Sequence, residues 1–115
     1  MRYVLLIYAS EAEYGKMSQQ EIGALMQGHA QLAQGLVESG AMVGGGPLQS
    51  TSSATTVRVR NGKALVTDGP FAETKEQLAG FYILNCKDLD EAIAAANKIP
   101  DVSIGSVEIR PMIEV

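Results

Sequence analysis

His29 and Asp68 are the residues whose types could do chemistry together. A carboxylate hydrogen-bonded to an imidazole orients the ring and stabilises its charged form, which suits proton transfer at ordinary pH. His29 is the single histidine in 115 residues. Asp68 opens the stretch Asp68-Gly69-Pro70-Phe71-Ala72-Glu73-Thr74-Lys75-Glu76, where a strand runs into a turn and then into a charged segment. Glu73 could serve as a second acid or base, and Lys75 could hold an anionic group. Tyr8, at the end of the first strand, and Phe71 complete the expected substrate-binding set. The plainer readings are a satisfied histidine under a sheet, an aspartate in a turn, a weak ion pair on a solvated loop and, for Tyr8, an ordinary strand aromatic.

Other chemistries find less support. One histidine and one cysteine, Cys86, give no zinc-like ligand set, so neither metal nor cofactor is expected. Cys86 ends an apolar strand, as a small buried hydrophobe would. Gly44-Gly45-Gly46 is followed by Pro47 and a Ser/Thr-rich stretch, not by the helix N-terminus that a phosphate cradle needs, and reads as a bend or bulge. The net charge is −4, and the nine Lys and Arg residues cluster only at Arg58, Arg60 and Lys63. Without a basic face, nucleic-acid binding has little electrostatic drive. No apolar run reaches the roughly 20 residues of a membrane span. Tyr3–Ala9 is too short for a signal-peptide core, and a lone cysteine fits a reducing compartment, so a cytoplasmic protein is expected.

The framework that must position His29 and Asp68 is legible in the patterning. Arg2–Tyr8 reads as a buried strand, and Ala9–Met17 as a polar turn. Ser18 and Glu21 form a capping box, with Met17 and Ile22 as its hydrophobic staple, and the helix they open should run to about Ser39, with Gly40 as its stop. Ile22, Leu25, Met26, Leu32, Ala33, Leu36 and Val37 recur at spacings of three and four, and His29 falls in register with them, facing the sheet. A short strand at Ala41–Val43 follows. Thr55–Arg60 and Lys63–Thr67 flank Asn61-Gly62, a strong hairpin signal. Leu78–Asn85 reads as another buried strand. Asp88 and Glu91 cap a helix that ends before Pro100, and Ser106–Arg110 alternates as a last strand.

With the hairpin set aside, two βαβ halves remain: one α+β domain over residues 1–115, in the split βαβ arrangement of the ferredoxin-like fold with an inserted β-hairpin. Two helices cover one face of such a sheet. The strands are apolar on both, so a homodimer packed sheet to sheet is expected.

The motif from Asp68 to Glu76, with Gly80-Phe81-Tyr82, resembles the DGPF-domain proteins of the YCII-related family. The likeness also takes in Arg2–Tyr8, the helix with His29, Val57–Arg60 and Val107–Pro111. The resemblance implies a dimeric α+β barrel and a His–Asp pair in a cleft, carried here by His29 and Asp68. It also suggests a link to extracytoplasmic-function sigma factors. The expectation is therefore a small homodimer acting on a small polar or anionic ligand by metal-free hydrolysis, elimination or isomerisation, or else a ligand-sensing or partner-binding module using the same pocket.

Overall fold

The computed structural model describes residues 1–114. Six strands and three helices follow in the order β1 (Arg2–Ala9), α1 (Glu11–Tyr14), α2 (Gln19–Glu38), β2 (Met42–Pro47), β3 (Thr55–Arg60), β4 (Lys63–Asp68), β5 (Gln77–Asn85), α3 (Leu89–Ala96) and β6 (Ser106–Pro111). Short 3-10 turns lie at Thr51–Ser53 and Pro100–Ser103. Four strands form an antiparallel sheet in the order β2-β5-β1-β6, and β3 and β4 form a separate hairpin. This α+β arrangement is consistent with a ferredoxin-like fold carrying an inserted hairpin.

Alternation along β1 decides which face is dry. Tyr3, Leu5, Ile7 and Ala9 are buried, whereas Val4, Leu6 and Tyr8 are half-buried. On β5, Tyr82 and Leu84 join the same inner face. There they meet Ala92, Ala95 and Ala96 of α3, with Ile99 beyond it. The small alanine side chains let α3 lie close to the sheet. Leu5, Leu84 and Ile99 are fully enclosed, and truncating any of them to alanine should cost about 2–5 kcal/mol.

The long helix sits more loosely. Its start is as expected: the Glu21 N–H donates to Ser18 Oγ at 3.1 Å, and the Ser18 N–H donates to Glu21 Oε1 at 2.9 Å. It runs to Glu38, with Ser39 as its C-cap and Gly40 just beyond. Leu32 and Leu36 pack against the core, but Ile22, Met26 and Val37 are exposed and no residue of α2 is fully buried. The apolar stripe is wider than the surface that receives it. Part of the reason lies opposite, where β2 presents Gly44-Gly45-Gly46 instead of side chains.

That run belongs to a strand, which extends past the expected Ala41–Val43 through Pro47. It is also the expected irregularity: the register with β5 shifts between Met42 and Gly44. Gly45 has φ +137°, and a Cβ there would lie 2.4 Å from the Phe81 carbonyl oxygen, so glycine is required. The hairpin turn is as the sequence predicts, with Asn61 and Gly62 both at positive φ, 53° and 76°.

Ala9–Met17 is not wholly a turn. Ser10 accepts from the Glu13 N–H at 3.3 Å and caps the single-turn helix α1. This turn delivers Tyr14 to the site below.

Candidate functional site

His29 faces the sheet as its helical position predicts. Its Nδ1 lies 2.7 Å from the Tyr82 hydroxyl on β5, and its Nε2 is hydrogen-bonded to Asp101 Oδ1 in the turn after α3. The other Asp101 oxygen accepts from the Tyr14 hydroxyl. Four side chains from α1, α2, β5 and the Pro100–Ser103 turn thus form one line: Tyr14, Asp101, His29, Tyr82. The Asp101 side chain is 4% exposed and that of His29 is 26% exposed. Within the line the carboxylate is sealed and the imidazole is the more open of the pair.

The carboxylate of the histidine pair is therefore Asp101, not Asp68. Asp68 ends β4, is exposed, and lies across from Thr55 in the hairpin. The hairpin is its own two-stranded sheet, so its register carries Asp68 along with β3, away from α2. Tyr8 and Phe71 line a second cavity between the hairpin and the sheet, with Ser50, Thr56, Thr74 and Glu76. Phe71 is 74% exposed, and its backbone carbonyl accepts from Arg58 Nη2 at 2.6 Å. Glu73 and Lys75 are exposed on the connection from β4 to β5 and line neither cavity. The structure does not bring any of these residues to His29.

Charge follows from this geometry. Burial alone would raise the Asp101 carboxyl. Hydrogen bonds from His29 and Tyr14, together with the imidazolium charge, outweigh it and hold the carboxyl below its ordinary range. Burial, then the bond to Asp101 and its charge, push the Tyr14 hydroxyl well above the usual tyrosine range. Burial and the same carboxylate raise Tyr82. Both phenols stay protonated at neutral pH and serve as hydrogen-bond groups. An anionic Asp101 is an acceptor only, so Nε2 of His29 carries a proton. Nδ1 then accepts from Tyr82 when the ring is neutral and donates to it when the ring is charged.

The line opens onto a cavity of about 530 Å³ between α2 and the β2 edge. Ile7, Leu25, Met26, Ala33, Met42 and Leu48 supply apolar wall, and His29, Tyr82 and Asp101 lie on its border. Leu48, Gln49 and Ser50 separate it from the second cavity. Both cavities lie within the 300–1,000 Å³ typical of small-molecule sites. Among the described residues, no three His, Cys, Asp or Glu side chains group as a metal site. No helix among them is long and apolar enough to cross a membrane.

The YCII-related domain family matches residues 1–115. The chain belongs to the YCII-related family. It is also 39% identical over 114 residues to a protein of Rhizobium meliloti (strain 1021) that is described as uncharacterised, covering 97% of this chain and 92% of the relative.

Within this YCII-related chain, Asp101 and Tyr14 are site residues that stand in no motif, and Tyr82 stands in the Gly80-Phe81-Tyr82 motif without having been assigned a site role. Asp101 follows Pro100, and Pro-Asp after a helix reads as a stop and a turn.

Proposed function

We propose that this protein is a small acid–base catalyst in which the His29–Asp101 pair, working through Tyr82, moves a proton to or from a small molecule held in the cavity beside α2. The observation that carries this reading is the unbroken hydrogen-bonded line from a buried carboxylate to a hydroxyl bordering a cavity. With His29 neutral, the Tyr82 O–H donates to Nδ1, and its oxygen lone pair is offered to a ligand proton. That proton can pass to Tyr82 as the phenolic proton passes to Nδ1, leaving an imidazolium stabilised by Asp101. The reverse transfer delivers a proton to the ligand. Hydrolysis, elimination and isomerisation all use such a pair of steps.

The working unit in this proposal is a homodimer. Supporting it, the outer sheet face carries the half-buried Val4, Leu6 and Ile83, and the hairpin exposes Val57, Val59 and Val66 to 61–66%. Extents of 47 × 43 × 19 Å make the chain a slab with two broad faces. Packing two slabs outer face to outer face would bury these apolar groups. Asp68 shares a hairpin face with Val57 and Val66 and would lie at that junction. Light scattering at micromolar concentration should return twice 12.2 kDa; a monomeric mass counts against the dimer.

For the catalytic reading, compounds that raise the melting temperature would be tested for turnover. Product from wild type that falls by about 10²-fold or more in His29→Ala supports it. Equal rates in both proteins overturn it. Ligands that bind without product, together with recovery of a sigma factor in a pull-down, would assign the cavity to sensing.

A further inference from the structure

The cavity's charged groups are already occupied, which constrains what can enter. Its charged border residues are Glu11 and Asp101, both acidic, and neither Lys nor Arg lines it. An anionic head group would lose its hydration there without a free countercharge, since a charged His29 is already paired with Asp101. A cationic one gains little direct pairing: the Asp101 carboxylate is sealed behind His29 and Tyr14 at 4% exposure, and that of Glu11 is held against Thr51. Asp101 accepts from His29 and Tyr14, one bond at each oxygen. Glu11 accepts from the Thr51 N–H at 2.8 Å and from Thr51 Oγ1 at 2.6 Å, again one at each oxygen. The remaining wall is largely hydrocarbon. The expected small polar or anionic ligand does not suit this lining.

Both nitrogens of His29 are engaged too, one by Asp101 and one by Tyr82. A hydroxyl has one donor and two acceptor sites. Tyr14 Oη and Tyr82 Oη both keep acceptor sites at the cavity, but the Tyr14 O–H is spent on Asp101, whereas Tyr82, bonded to the imidazole, can turn its O–H to a ligand when His29 is charged.

We infer that the ligand is an uncharged, mostly hydrocarbon small molecule, held by its carbon skeleton between α2 and β2 and presenting a single hydroxyl or carbonyl oxygen to the Tyr82 hydroxyl. This rests on the acid–base reading for its site and adds the class of ligand. A hydroxyl ligand donates to Tyr82 when His29 is neutral. A carbonyl ligand accepts from Tyr82 when His29 is charged.

The test uses one ring with three head groups: cyclohexanol, cyclohexanecarboxylate and cyclohexylammonium, titrated into the full chain at pH 7. The single imidazole is followed by NMR, so its signals need no assignment. Cyclohexanol is expected to bind saturably, shift the His29 resonances, and bind at least about tenfold more tightly than either ion, the difference set by stripping water from a charge. Ala33→Phe, which fills the cavity, should abolish binding. Ala30→Trp at the exposed rim is the second variant, chosen because it does not test the fold. Tyr82→Phe should weaken cyclohexanol while leaving room for the ring.

An ion that binds as well as the alcohol overturns the inference. So does an alcohol that leaves the imidazole unmoved, or one that still binds when both Ala33→Phe and Ala30→Trp fold and fill the space. Saturable alcohol binding with no turnover of any compound would instead sink the acid–base reading and leave the ligand class standing.

Discussion

Gly28 lies directly against Pro100: a Cβ at Gly28 would come 2.7 Å from Pro100 Cγ. Each is the neighbour in sequence of a site residue, Gly28 of His29 and Pro100 of Asp101. The missing side chain on α2 is what lets the turn after α3 approach closely enough for the imidazole–carboxylate bond.

Gly28→Ala therefore sets two effects against each other. Alanine gains about 1 kcal/mol of helix propensity, while overpacking against the proline ring costs about 1–3 kcal/mol. The expected net result is a small loss of stability and a weakened His29–Asp101 bond. Because the chain has one histidine, the ultraviolet absorbance of the acylimidazole formed with diethylpyrocarbonate reports on His29 alone, and its rate of formation should rise several-fold. Gly23→Ala and Gly35→Ala on the same helix meet nothing within 4 Å and should stabilise instead. An unchanged acylation rate in Gly28→Ala would dismiss the close approach as a determinant of the site.

Asp101 anchors two donors, so its removal should be costly. Asp101→Ala leaves the Tyr14 hydroxyl and the His29 Nε2–H without their acceptor in a buried place, at a cost of about 3–5 kcal/mol. Asp101→Asn keeps one carbonyl oxygen and should lose less, while still losing most of any turnover because the anion is gone. Urea midpoints for the two variants check the order. Equal stability of Asp101→Ala and wild type would mean that the line contributes nothing to the fold.

Much of this was readable in the chain, and the exceptions have a common cause. The capping box, the Asn61-Gly62 hairpin and the sheet-facing register of His29 are local rules, decided within a few residues. Asp101 is 72 positions from His29 and Tyr14 is 87 from Asp101, so neither contact has a local pattern. Asp68 was prominent because it stands in a motif. Asp101 was not, because Pro-Asp after a helix is ordinary turn chemistry. The loose seat of α2 also had no local sign, since it depends on three glycines lying across from an apolar stripe.

Stability should fall at both ends of the pH scale, for opposite reasons. The Asp101 carboxyl is held below its ordinary range, so as pH drops through about 4 the unfolded chain takes up a proton that the folded chain refuses. Acid thus favours unfolding, and this contribution is lost as pH falls through the folded value. Tyr14 and Tyr82 are shifted upward, so above about pH 10 the unfolded chain releases protons that the folded chain retains. Alkali thus also favours unfolding. Besides Asp101, the acidic residue lining the same cavity is Glu11 of α1. Urea midpoints from pH 3 to 11 measure both limbs, and Tyr14→Phe should shrink the alkaline one. A stability gap between Tyr14→Phe and wild type that is the same at pH 8 and pH 10.5 would contradict the assignment.

Glu11 fastens the wall between the two cavities. Its carboxylate holds Thr51 at both the backbone N–H and the hydroxyl, and its own N–H donates to Gln77 Oε1 at 2.9 Å. Leu48, Gln49 and Ser50, just ahead of Thr51, are the residues common to both cavities. Glu11→Ala should cost about 1.5–3 kcal/mol, the value of hydrogen bonds to a charged group. The effect should be local, because Glu11 reaches no core side chain. Amide exchange at Thr51 should accelerate by one to two orders of magnitude relative to amides of β1, with a smaller rise at Gln49 and Ser50. The two cavities would then join intermittently, and cyclohexanol should leave faster than from wild type. If Thr51 exchanges no faster in Glu11→Ala, the wall is held by its own 3-10 turn and Glu11 is incidental to it.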